Sequence, residues 1–334
     1  MNDDQGMHRH PRNTMTLCSR QRWSGGSARF RTPSHVLTLL LCGNGVRSRR
    51  LCLLATAVVS AAGLVGNLSC AQDLADIRKQ GLLRHLGISC AGFVGPAGTG
   101  FDADLIQGFA KHLGVRYQLI RQEAPAILIE GLTGGVHTAR ADTPSLPLAR
   151  HARIGDLAAS GITISSERRE HLLFSRPTLP TQVWVLAKAD APVKPITPGK
   201  DTMEDVRATR ALMKGLIVLG KADTPLDPRK YGVVAAGGVP KLFDGSIAEL
   251  VPALLIGEGD AVLLDLPVAS QALRRWSKRL KVLGPMGEWQ NMGVAFPRDA
   301  PDLVHAFDLY LESCRNDGTI RRLVAEYFPA LVGM

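Results

Sequence analysis

Ser160-Gly161-Ile162-Thr163-Ile164-Ser165-Ser166-Glu167-Arg168-Arg169-Glu170, followed by Phe174-Ser175, is the stretch on which the reading of this chain turns. From Gly155 to Ile164 the residues other than Asp156 are apolar, small or β-branched, with no helical period. At Ser165-Ser166 the pattern changes to a helix start, with a serine cap and an acidic residue in the first turn. An extended element therefore delivers Arg168 into the first turn of a helix.

Working outward, short apolar runs alternate with amphipathic helices, the pattern of an α/β protein. Asp73 caps a helix over Leu74–Gln80 that Gly81 stops, and a buried strand follows at His85–Ser89. Asp102 is expected to cap a helix ended by Gly114, and Val115–Ile120 reads as the next strand. Residues 134–155, with His137 and His151, read as a long surface loop. Val183–Ala187 is a strand, and the proline-rich stretch Lys188–Lys200 is expected to carry the chain out of a first lobe. A second set has strands at Gly215–Gly220, Asp260–Leu264 and Lys281–Gly284. Its helices start at Ser246, closed by Gly257, and at Pro267, ending near Trp276. Met292–Phe296 reads as a returning strand before helices over Leu303–Cys314 and Thr319–Phe328.

The charge is ordinary once it is divided along the chain. Of a net +10 over 334 residues, residues 1–71 hold nine arginines, no lysine and two aspartates, which leaves 72–334 at only +3. That is too little for a phosphate-binding footprint, so no nucleic-acid partner is expected. Aromatics at 5% argue against a stacking groove, and 45% apolar residues suffice for a core.

The basicity belongs to a targeting region. Arg47-Ser48-Arg49-Arg50, the apolar run Leu51 to Gly66 and small residues before Gln72 match a signal peptide cleaved near Ala71/Gln72. The run is short for a membrane span, which needs about 20 residues. Leu68 stands two positions before Cys70 where a lipobox would place it three before, so lipid anchoring at Cys70 is the lesser expectation. Residues 1–45 read as an unstructured extension or a gene-start error, with translation from Val46. Past the cleavage point only Cys90 and Cys314 remain, as one disulfide or two buried thiols.

No P-loop, nucleophile elbow, His-Glu-x-x-His or paired Cys-x-x-Cys follows Gln72, and Gly95 to Gly100 lacks dinucleotide spacing. No catalytic residue, cofactor or metal is expected.

The opening stretch resembles the signature of family 3 bacterial extracellular solute-binding proteins, the amino-acid-binding components of ABC importers. Gly100-Phe101-Asp102-Ala103-Asp104-Leu105, Gly257-Glu258-Gly259-Asp260-Ala261-Val262-Leu263-Leu264-Asp265, Met292-Gly293-Val294-Ala295-Phe296 and Asp317-Gly318-Thr319 are similar in the same order. The resemblance implies an α/β, two-lobed periplasmic binding protein fold of type II, each lobe a sheet flanked by helices, with two hinge crossings. Lobe 1 would hold 72–187, lobe 2 188–290, and 291–334 would return to lobe 1. The implied protein is periplasmic and monomeric, does no chemistry, and serves an inner-membrane ABC permease.

An enclosed zwitterion needs a counter-charge at each end, because an unpaired buried charge costs several kcal/mol. A guanidinium with N–H groups or a hydroxyl suits a carboxylate, and an acceptor-only carboxylate suits an ammonium. The resemblance assigns the first role to Arg168, with Ser160, Gly161 and Thr163 beside it, and the second to Asp265. Asp265 also reads as an N-cap for the Pro267 helix. Relatives carry an aromatic near Ala124-Pro125, absent here, and Phe93 is the replacement stacking ring. Lys221 to Pro228 stands where a Gly-Thr/Ser pair is usual. Thr224 can still contribute there, although Asp223 is unhelpful beside a carboxylate. Two alternatives stay open: a periplasmic enzyme resembling cyclohexadienyl dehydratases, and an accessory or sensory module.

Overall fold

The computed structural model describes residues 73–90, 92–135 and 153–332. The extension 1–45, the export segment 46–71 with Cys70, and His137 and His151 lie outside the described residues.

The chain opens with α1 (Leu74–Gln80), β1 (Leu82–Ile88), α2 (Phe101–Leu113), β2 (Arg116–Gln122) and α3 (Pro125–Thr133). Next come β3 (Leu157–Ala158), α4 (Ser166–Arg169), β4 (Leu172–Phe174), β5 (Leu179–Thr181) and β6 (Val183–Lys188). The middle holds α5 (Thr202–Ala211), β7 (Ile217–Gly220), β8 (Val239–Leu242), α6 (Leu250–Ile256), β9 (Ala261–Asp265) and α7 (Leu266–Arg275). It closes with β10 (Leu280–Pro285), β11 (Gln290–Met292), β12 (Ala295–Pro297), α8 (Pro301–Asn316) and α9 (Thr319–Tyr327).

Two five-stranded sheets result, ordered β2-β1-β3-β12-β4 and β10-β6-β9-β7-β8. In each, a parallel βαβ arrangement is completed by antiparallel strands. A separate two-stranded ribbon pairs β5 with β11 in antiparallel register, Thr181 opposite Gln290 and Leu179 opposite Met292. Both chain crossings between the sheets pass through this ribbon.

The crossing out of the first sheet comes earlier than the residues suggest. Val183–Lys188 lies between β10 and β9 in the second sheet, so the chain has already changed sheets before Val183. A uniformly apolar strand reads the same in either sheet, and only its partners distinguish them. Lys188–Lys200 then runs along the second sheet, Ile196 N donating to Leu283 O at 2.9 Å. Met292–Phe296 is likewise two strands: Met292 ends β11 in the ribbon and Ala295 starts β12 in the first sheet.

Helix ends follow local chemistry. Asp73 accepts the Leu74 N–H, and Gly81 and Gly114 stop α1 and α2 at φ of 63° and 73°. Asp102 does not cap α2: Gly100, at φ 142°, holds that position, and Asp102 lies in the first turn. α3, unexpected from the residues, starts with Pro125 and no side-chain cap and ends at Gly134. Leu128 and Leu132 of α3 pack with Leu86, Ile88, Ala158 and Ala295 over the first sheet. Each such side chain fully buried contributes about 1.5–3 kcal/mol.

Cys90 and Cys314 are free thiols, both buried. Among the described residues no helix is long and apolar enough to cross a membrane, and no cluster of side chains could hold a metal ion.

Candidate functional site

The site lies where strand ends of the two sheets converge. After β3 the chain runs through Ser160 and Gly161 to Thr163 and the single turn α4. From the other sheet, β9 ends on Asp265. Ser160, Gly161, Thr163, Arg168, Thr224 and Asp265 all line one cavity of about 50 Å³. Openings at the carboxyl ends of strands are where ligands sit in α/β proteins.

Gly161 is required twice over at its position. Its φ of +67° is left-handed, and a Cβ there would lie 2.6 Å from the ring of Phe93. Ser165 then caps α4, its Oγ accepting the Arg168 N–H at 3.3 Å, as the serine cap in the sequence predicts. Within this turn the Arg168 guanidinium bends back so that Nη1 donates to Thr163 O at 2.8 Å. That is its one hydrogen bond among the described residues, and no carboxylate lies within ion-pair distance. Burial lowers the guanidinium's affinity for its proton, against the opposing pull of Asp265 and Glu167.

Asp265 occupies the N-cap position of α7, with extended backbone at φ −66° and ψ 145°, yet its side chain makes no capping bond. The residue as a whole is partly exposed, but Oδ1 is buried and has no hydrogen-bond partner among the described residues. Burial pushes its pKa up to about 7, with Arg168 opposing. The helix start behind it favours negative charge. Two opposite charges from different sheets thus face one cavity, electrostatically coupled but unpaired.

The other predicted residues divide. Ser160 Oγ accepts the Ile88 N–H at 2.8 Å and sits 3.3 Å from Ile88 O, so the hydroxyl clamps β1 to the site loop. Thr224 Oγ1 donates to Lys221 O at 2.8 Å and accepts from Leu226 N at 3.0 Å, which closes its own turn. Neighbouring Asp223 takes the left-handed conformation at φ 58°. Phe93 does not line the cavity as a stacking ring. It is 1% exposed and packs on Phe101 and Phe328, with centroids 6.4 and 4.8 Å away, beneath Gly161.

One participant is not apparent from the sequence. Asp102 Oδ2 accepts the Gly161 N–H at 2.6 Å, so that donor is engaged inside the first lobe rather than offered to the cavity. Burial lifts the Asp102 pKa to about 7, against the pull of the Gly161 bond. The two residues are 59 positions apart, and nothing local signals the contact. The α3 wall does leave a signal, since Pro125 opens and Gly134 closes an apolar run.

Several solved structures share this architecture. A mutant of the arginine-binding protein ArgBP from T. maritima superposes with a TM-score of 0.59 at 22% identity, covering 77% of this chain and 99% of that one. An ancestral amino-acid-binding protein, described as a precursor of cyclohexadienyl dehydratase, gives 0.58 at 23% identity, over 76% and 98%. These likenesses establish a two-lobed periplasmic binding protein fold. In sequence, the L-cystine-binding protein TcyJ of Escherichia coli is 24% identical over 70% of this chain and 75% of that protein. The arginine-binding protein ArgT of Corynebacterium glutamicum is 26% identical over 68% of this chain and 66% of its own length. Residues 146–330 match the family described as bacterial extracellular solute-binding proteins, family 3, and since that is more than half of the chain, it belongs to this family.

Proposed function

We propose that this chain is the substrate-binding protein of an ABC-type importer and that it closes its lobes on an amino acid or similar small zwitterion. Arg168 holds the carboxylate and Asp265 the ammonium. One observation carries the reading: among the described residues Asp265 Oδ1 is buried without a partner, at a helix start where it could have capped, and lines the same cavity as Arg168. A buried acceptor without a donor costs about 1–3 kcal/mol, and an ammonium recovers it. Because the two charges sit on different lobes, only the closed form pairs both ends of the ligand, so the ligand favours closure through differential affinity. The proposal includes export through the segment 46–71, cleavage near Ala71/Gln72, and delivery as a monomer to an inner-membrane permease.

A thermal-shift panel of amino acids, polyamines and small carboxylic acids tests this. A ligand at 100 times its dissociation constant adds about 2.7 kcal/mol, a rise in Tm of roughly 2–4 °C for each kcal/mol in a protein of this size. At least one zwitterion should shift the wild type and leave folded Arg168→Ala unmoved. An equal shift in both proteins refutes the assignment.

A second reading has one observation behind it. A carboxyl held near pH 7 is what a general acid requires, and Asp265 is such a group. Formation of phenylpyruvate from prephenate by the purified protein would establish a dehydratase instead of a receptor.

A further inference from the structure

We infer that the site selects an amino acid with an uncharged, aliphatic side chain, an inference that rests on the Arg168–Asp265 reading above. Among the described residues lining the cavity, Arg168 and Asp265 are the only ionisable ones. Once they hold the ligand's carboxylate and ammonium, no charge among the described lining residues remains for a third ionic group. The nearby acids are committed or outside. Asp102 accepts from Gly161, Asp227 holds Arg229 in a two-oxygen contact, and Asp223 and Glu167 are exposed. A charged side chain in the cavity would therefore be buried without a partner, which costs several kcal/mol.

A polar side chain fares little better. Of the three hydroxyls among the described lining residues, those of Ser160 and Thr224 are engaged with backbone groups, which leaves only that of Thr163, beside the Arg168 end of the ligand. What faces the rest of the cavity is hydrocarbon from both lobes: Leu128, Ile129 and Leu132 of α3 on one side, and Pro225, Leu226 and Ile247 on the other. No aromatic ring is among the described lining residues, so none of them can stack a ligand ring.

Calorimetric titration of the purified protein with alanine, valine, leucine, isoleucine, arginine, lysine, glutamate, cystine and phenylalanine decides the matter. We expect at least one aliphatic member to bind at least ~100-fold more tightly than every charged or aromatic member, about 2.7 kcal/mol. Ile129→Ala should weaken leucine or isoleucine by roughly 10-fold or more while leaving alanine nearly unchanged, the usual effect of removing methylene contacts. Arginine, lysine, glutamate, cystine or phenylalanine binding as tightly as the aliphatic set would overturn the inference and leave the receptor function standing. Failure of every amino acid to bind protein with a native circular-dichroism spectrum would remove both the inference and the function beneath it.

Discussion

Replacing Asp265 with asparagine should stabilise the unliganded protein at neutral and alkaline pH. The carboxyl is displaced by burial from its ordinary 3.8 to about 7. The folded state therefore holds the proton more tightly than the unfolded chain, so stability from this group is fully present below about pH 4 and is lost as pH rises through 7. Each pKa unit corresponds to about 1.4 kcal/mol, which puts a ceiling of about 4 kcal/mol on the loss. Partial exposure of the residue lets water screen the charge, and about half that figure, ~2 kcal/mol, is the expected size. The amide keeps the shape of the carboxyl without its charge. Urea unfolding of both proteins at pH 4 and pH 8 gives the measurement: the difference between variant and wild type should be small at pH 4 and about 2 kcal/mol in favour of Asp265→Asn at pH 8. Asp102, whose carboxyl is also raised, is common to both proteins and cancels. A variant less stable than wild type at pH 8, or a difference that does not change with pH, would show that Asp265 is not a buried, unpaired charge.

Two further outcomes follow from the same geometry. Gly161→Ala forces a side chain into the left-handed region and against the Phe93 ring, and should lower unfolding stability by more than ~2 kcal/mol; a urea midpoint equal to wild type would contradict the packing described. Cys90 and Cys314 are buried thiols, and burial raises both, Cys90 to about 12, so neither is a ready thiolate. Mass spectrometry after native alkylation at pH 8 should find both unmodified, with labelling only in denaturant.

Much of the fold is legible because its punctuation is local. Asp73 and Gly81 bracket the first helix, Gly114 ends the second, and Pro267 follows directly on the strand that ends at Asp265. α5 is hard to read because it is a polar helix following a proline-rich stretch, with Asp201 as its only strong start signal. Which sheet owns Val183–Lys188 is not legible, since partner choice is set by distant strands. At the site, the motifs name Arg168 and Asp265, and the structure brings both to one cavity. They cannot reveal that Gly161 gives its N–H to Asp102 or that the Ser160 hydroxyl clamps Ile88, contacts spanning 59 and 72 residues. Phe93 has the right chemistry for stacking but serves the core beneath the glycine.

The ribbon of β5 and β11 has its own consequence. The two connecting strands are bonded to each other over three residue pairs, Leu179–Thr181 against Gln290–Met292, so neither can slide past the other. Asn291 O also accepts the Ile164 N–H at 2.8 Å, and Met292 bridges Thr163, so the ribbon is tied to the loop that lines the cavity. A substitution in the ribbon therefore reaches the loop that carries Thr163 through main-chain bonds, without any side chain having to touch the cavity.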